Sequence, residues 1–164
     1  MDTEFAYRDV PFPGDVQAVA DMVAGTGFFR PDEVAVAAEL VEERLAKGEA
    51  SGYYFWFVDA CAEPGKPVAY VCFGPTPCTV GTFDLYWIVT GRDWQGKGLG
   101  KKLASLAERA AAAMGGRRMY VETAGKEQYA PTRAFYESAG YFKAAELPDF
   151  YDAGDAKIIY QKNL

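Results

Sequence analysis

The chain has 164 residues, 50% of them hydrophobic and 15% aromatic, a length and composition that support one folded core and argue against disorder. Lysine and arginine total 17 against 23 aspartate and glutamate, a formal net charge of −6, which opposes duplex nucleic acid and gains nothing from an anionic membrane. The histidine count is 0, which excludes Ser-His-Asp and Cys-His catalysts and most zinc sites, so no metal site is expected.

In chain order, a short strand covers Glu4 to Arg8, and Pro11 to Gly14 breaks the chain. Asp15 suits the cap of a first helix running to Ala24. Gly25-Thr26-Gly27 reads as a loop, followed by the pair Phe28-Phe29. Pro31 then fits the first turn of a second helix, with Asp32 and Glu33 complementing its dipole. Val34, Ala37, Ala38, Val41 and Leu45 make one apolar stripe on it, and Gly48 is a natural stop. Tyr53 to Ala60 and Val68 to Phe73 are aromatic and β-branched runs joined by Glu63-Pro64-Gly65-Lys66, the pattern of a hairpin. A longer strand, Thr82 to Thr90, follows the Pro75-Thr76-Pro77 breaker. A helix from Gly98 to Met114 places Leu99, Leu103, Leu106, Ala107, Ala110 and Met114 on one face. Next come a strand at Arg118 to Thr123, a helix at Pro131 to Ala139, and strands at Tyr141 to Leu147 and Ala156 to Lys162. The order βααβββαβαββ describes a single mixed α/β domain, without repeat or linker, in which a central twisted mixed sheet is flanked by helices.

Cys61, Cys72 and Cys78 show no CxxC spacing and read as free thiols of a reducing compartment, with Cys72 in the core. The amino terminus is acidic and lacks an apolar stretch of the kind a signal peptide carries, and no apolar run approaches the ~20 residues of a membrane span. These features predict a cytoplasmic protein.

The most informative segment is Val89 to Leu103, VTGRDWQGKGLGKKL. An apolar strand runs into Gly96, Gly98 and Gly100 and then directly into a helix. Glycine there permits positive φ and close approach of a ligand, and the free N–H groups of a helix start make an anion site. Arg92, Lys97, Lys101 and Lys102 stand beside it against Asp93 alone, so a basic patch interrupts an acidic chain and points to a phosphate-bearing ligand. A P-loop is disfavoured because Gly98 occupies the position of its Ser or Thr. The dinucleotide fingerprint GxGxxG fails because its third glycine falls on Lys101.

Gln95-Gly96-Lys97-Gly98-Leu99-Gly100, read as Gln-x-x-Gly-x-Gly, resembles the pyrophosphate loop of the GNAT superfamily of acyl-CoA-dependent N-acyltransferases. Phe83 to Thr90 resembles that family's fourth strand. Thr132 to Tyr141 (TRAFYESAGY) is similar to its later helix, and Tyr151 with Gly154-Asp155-Ala156 to the loop entering the final strand. The likeness covers about residues 53 to 162 in the right order.

The resemblance implies acetyl-CoA as cofactor, contacted by Gln95, Gly96, Lys97, Gly98, Leu99, Gly100 and Lys101. A backbone N–H of Ile88, Val89 or Thr90 meets the thioester carbonyl, and a preorganised donor of this kind can be worth about 2.7–4 kcal/mol to a transition state. Tyr136 serves the departing thiolate. Asp84 and Glu122 are the candidates for base, on two strands expected to splay around the thioester. Asp84 ranks first, acting through a water, and Glu122 alternatively holds the acceptor's ammonium. Tyr129 stands where relatives often carry a cofactor-binding asparagine, so Thr132 or Arg133 takes over that contact. Phe28, Tyr86, Tyr129 and Tyr151 are candidate acceptor-binding residues, with a core role for Phe28 and Phe29 equally open. The activity implied is transfer of an acetyl group to a primary amine of a small molecule or amino acid, by direct attack through a tetrahedral intermediate. Acetylation of a protein amino terminus and a non-catalytic acyl-CoA-binding role are the alternatives. The resemblance is compatible with a homodimer.

Overall fold

The computed structural model describes residues 4–164. Its elements are β1 (Phe5–Arg8), α1 (Asp15–Gly25), α2 (Pro31–Lys47), β2 (Tyr54–Ala60), β3 (Pro67–Pro75), β4 (Thr82–Thr90), α3 (Leu99–Ala113), β5 (Arg118–Ala124), α4 (Ala130–Ser138), β6 (Phe142–Asp152) and β7 (Asp155–Asn163). The seven strands follow the order β1-β2-β3-β4-β5-β7-β6 in one sheet. Pairing is antiparallel for β1/β2, β2/β3, β5/β7 and β6/β7, and parallel for β4/β5, whose crossover is α3. The expected βααβββαβαββ order and mixed α/β class are both observed.

The chain divides into two compact units. The first runs up to Gly74 and includes Trp87–Ala107; the second comprises Pro75–Tyr86 and Glu108–Leu164. In the first, α1 and α2 bury Val19, Met22, Val23, Ala37 and Val41 on Phe55, Phe57, Tyr70, Cys72 and Val89, with Phe29 and Trp87 packed at the margin. Leu45, expected on the α2 stripe, is exposed; the inward positions are Val34, Ala37, Leu40 and Val41. Asp15 does not act as a side-chain cap for α1, whose N-cap is Gly14. It is instead fully buried and accepts two hydrogen bonds of 2.7 Å from Arg8 and one of 2.6 Å from Phe12 N. Arg8 also donates to Asp59 at 2.9 Å, so one guanidinium bridges two buried carboxylates and spans β1, α1 and β2.

In the second unit, strand alternation and register separate two sheet faces. Phe83, Leu85, Met119, Val121, Ile158 and Tyr160 are buried on one. Asp84 and Tyr120 are register partners on the other, and alternation adds Tyr86 and Glu122. Glu122 pairs in turn with Ile159, and Ala124 with Lys157. Along α3, Ala104 and Ala111 are buried where Ala110 and Met114 were expected; Met114 is exposed. Among the described residues, no helix is long and apolar enough to cross a membrane. Cys72 is buried, Cys61 and Cys78 are exposed, and all three are free thiols.

Candidate active site

The candidate residues fall into two sets, one in each unit. In the first unit, β4 ends at Thr90, and Gly91 N donates to Val68 O at 2.8 Å. A short 3-10 turn, Arg92–Trp94, lowers the chain into Gln95, which is extended. Gly96 and Gly98 then adopt φ of +78° and +77°, and a Cβ built on either meets nothing within 4 Å. The glycines are therefore required by backbone conformation and not by crowding. Buried Leu99 anchors the start of α3. Lys102 N donates to Gly98 O at 3.2 Å, so the amides of Leu99, Gly100 and Lys101 stand ahead of the helical ladder with the positive end of the dipole.

The basic residues around this turn are unequally placed. Lys97 pairs with Glu4 at 2.7 Å and lies 5.3 Å from the Trp94 ring centre, and Arg92 donates to Thr26 O at 3.2 Å. Lys101 is exposed, and Lys102 lies 5.9 Å above the Tyr7 ring. Gln95 is exposed, its side-chain amide 3.5 Å from Thr90 O. Val89 is buried, Ile88 and Thr90 partly so. The phenylalanine pair divides: Phe29 packs on Trp87 at 5.1 Å between ring centres, while Phe28 is exposed.

In the second unit, Asp84 is half-buried and accepts a 2.7 Å hydrogen bond from the Thr76 hydroxyl. Burial raises its pKa and the negative charge of Glu122 adds to the rise, against the Thr76 bond, which lowers it. Glu122 is more exposed and pairs with Lys157 at 2.6 Å. Lys157 Nζ lies 4.4 Å above the Phe150 ring, and Phe150 meets Tyr151 edge to face at 5.0 Å. That aromatic pair sits in an irregular stretch of β6 where Asp149 has φ +55° and accepts from Gly154 N at 2.7 Å. Tyr86 and Tyr151 are both exposed, and Tyr129 stands at the N-cap of α4.

Tyr136 lies on the opposite side of the sheet from Asp84 and Glu122. It is buried among Phe135, Tyr141 and Tyr160, at ring-centre distances of 5.3, 5.7 and 6.0 Å. Burial raises its pKa, so the phenol keeps its proton throughout the neutral range. Tyr160, whose hydroxyl donates to Glu137 at 2.8 Å, is pushed up to about 12 by burial and by that carboxylate. Arg133 donates to Ala124 O at 2.8 Å and Lys126 O at 2.9 Å, which fastens α4 to the end of β5; Thr132 is partly buried in the first turn of that helix. Thr76 and Lys157 are the two site residues that sequence reasoning missed. Lys157 could have been found only from the β5/β7 register, which the sequence pattern does not encode.

A strand that turns through two left-handed glycines into a helix, within a mixed sheet of this order, defines the fold class of acyl-CoA-dependent acetyltransferases. The model of the acetyltransferase (GNAT) family matches residues 23–141. The chain belongs to that family. A GNAT-family protein from Desulfovibrio desulfuricans is 45% identical in sequence and superposes with a TM-score of 0.93, covering 97% of this chain and 98% of its own. An aminoglycoside 6'-N-acetyltransferase complexed with coenzyme A shares the fold at 18% identity, TM-score 0.77, with 96% of each chain covered. A Salmonella typhimurium protein with acetyl-CoA does so at 20% identity, TM-score 0.74, covering 98% of this chain and 94% of its own. A search of curated proteins returns no match.

Proposed function

We propose that this protein transfers the acetyl group of acetyl-CoA to a primary amine of a small molecule or amino acid in the cytoplasm. The observation that carries the reading is the turn from Gln95 to Lys101, where two left-handed glycines leave the first amides of α3 ahead of the ladder. Those amides, the dipole and exposed Lys101 suit a pyrophosphate. Bound acetyl-CoA supplies an acetyl group activated as a thioester.

The remaining chemistry belongs to the chain. Asp84, with a raised pKa and one oxygen held by Thr76, is the base that takes the amine's proton, directly or through a water. The backbone amides of Ile88 to Thr90 supply the donor for the oxyanion. Tyr136, a phenol kept protonated by burial, donates to the departing thiolate from the far side of the sheet, beyond Leu85 and Val121, the last paired residues of β4 and β5. Glu122, paired with Lys157, keeps a negative charge that raises the pKa of Asp84. Phe28, Tyr86, Tyr129 and Tyr151 are the candidate acceptor contacts.

An amine library screened for coenzyme A release tests the activity, and Tyr136→Phe tests the site. That variant is expected to lower kcat about 10²-fold with the affinity for acetyl-CoA little changed. Unchanged turnover in the variant removes Tyr136 from this role, and absence of thiol release with every amine defeats the proposal.

A further inference from the structure

β6 is an edge strand. β7 pairs along one side of it, and among the described residues no strand lies along the other. Such an edge presents unpaired N–H and C=O groups and is a template for a further strand. Every position of β6 but Ala145 is exposed, and Phe142 and Leu147 carry large apolar side chains that are 51% and 41% exposed. The same strand holds Lys143, Pro148 and an irregularity at Ala144, features with which proteins keep stray strands off an edge.

The register with β7 fixes the face each side chain takes. Lys143 stands opposite Tyr160 and Glu146 opposite Ile158, both buried, on the face where Tyr160 meets Tyr136 of α4. Phe142 stands opposite Gln161 and Leu147 opposite Lys157, on the other face. In a regular strand, residues at i and i+3 point to opposite faces. Here the register shifts between Lys143 and Ala145, which leaves Ala144 as the extra residue of a bulge. Lys143 and Glu146 therefore share a face, and they meet there in an ion pair of 2.6 Å. By the same step Phe142 and Leu147 share the other face.

This arrangement is self-complementary. A two-fold axis perpendicular to the sheet, passing beside β6 midway between Ala144 and Ala145, lays the β6 of a second copy antiparallel to the first. Lys143 then stands opposite Glu146 of the second copy, Phe142 opposite its Leu147, and Ala144 opposite its Ala145. Each pair recurs on the far side of the axis, as an isologous contact requires. The two intrachain ion pairs become a network of alternating sign, the apolar pairs cover each other on the opposite face, and the alanines leave room at the axis. A regular strand in this register would set side chains of opposite faces against each other, so the bulge that turns other strands away is matched by a copy of itself. Pro148 ends the ladder after Leu147. We propose that β6 is a homodimer interface, in which two copies of this chain pair along Phe142 to Leu147. The ladder is short, so the dimer is expected to be concentration-dependent, with a dissociation constant on the order of micromolar.

Sedimentation velocity on the full chain over a concentration series tests this, for the wild type, Lys143→Glu, Glu146→Lys and the variant carrying both. Both side chains are about half exposed, so each variant is expected to keep its fold by circular dichroism. Lys143→Glu gathers carboxylates at the axis and Glu146→Lys gathers ammonium groups, and each is expected to raise the dissociation constant about tenfold or more. Combining the two exchanges the signs and keeps the symmetry, so dimerisation is expected to return towards the wild-type value. Leu147→Glu, which puts a charge against Phe142 of the second copy, is expected to give a monomer. A wild type that is monomeric at every concentration, a dimer indifferent to either single reversal, or a double variant that does not recover overturns the interface.

Discussion

Asp84 and Glu122 project from one face of the sheet, and the charge of the second raises the pKa of the first beyond what burial does alone. A base with a raised pKa loses its active, ionised form as pH falls, so the acid limb of kcat/KM is expected above the ordinary carboxylate range. Removing the repulsion in Glu122→Gln moves that limb to lower pH, and freeing Lys157 acts in the same direction. Thr76→Val removes a hydrogen bond to the ionised form and moves it to higher pH. Asp84→Asn removes the limb and lowers kcat about 10²-fold. Opposite displacements in the Glu122 and Thr76 variants are the signature; limbs that stay in place show that another group is the base. Tyr136 makes no contribution to an alkaline limb near neutrality, because burial raises its pKa away from that range.

At the level of elements, helices and strands were legible wherever apolar residues kept one period, as along α2 and through β2 and β3. Their ends were not, because short 3-10 turns at Gly48–Ser51, Arg92–Trp94 and Glu127–Tyr129 obey neither period. The glycine turn was readable because only its backbone conformation matters, and residue type reports that directly. Side-chain partners were not: Asp15 resembles a helix cap in sequence, yet pairing with Arg8 of β1, which also holds Asp59 of β2, decides its place. Arg8 holds two buried carboxylates from α1 and β2, so Arg8→Met leaves both without a counter-charge. That variant is expected to lose about 3–5 kcal/mol in urea denaturation, where a weak surface pair would cost less than about 1 kcal/mol. A loss in the surface range contradicts the joint described between β1, α1 and β2.

Across the whole molecule, a net charge of −6 surrounds one strand-to-helix turn with cations at Arg92, Lys97, Lys101 and Lys102. The affinity for an anionic thioester carrier is therefore expected to fall as salt rises, because screening acts over about 10 Å at 0.1 M and Lys101 is exposed. The most direct test of the account is calorimetric titration of coenzyme A into the purified chain and into Gly98→Ala. Gly98 has room for a methyl group but holds a left-handed φ, and forcing a side chain there costs about 1–3 kcal/mol in strain or re-aims the amides ahead of α3. The wild type is expected to bind coenzyme A, and Gly98→Ala to bind it about tenfold or more weakly with its fold retained by circular dichroism. A wild type that does not bind, or a variant that binds as tightly, contradicts the assignment of this turn.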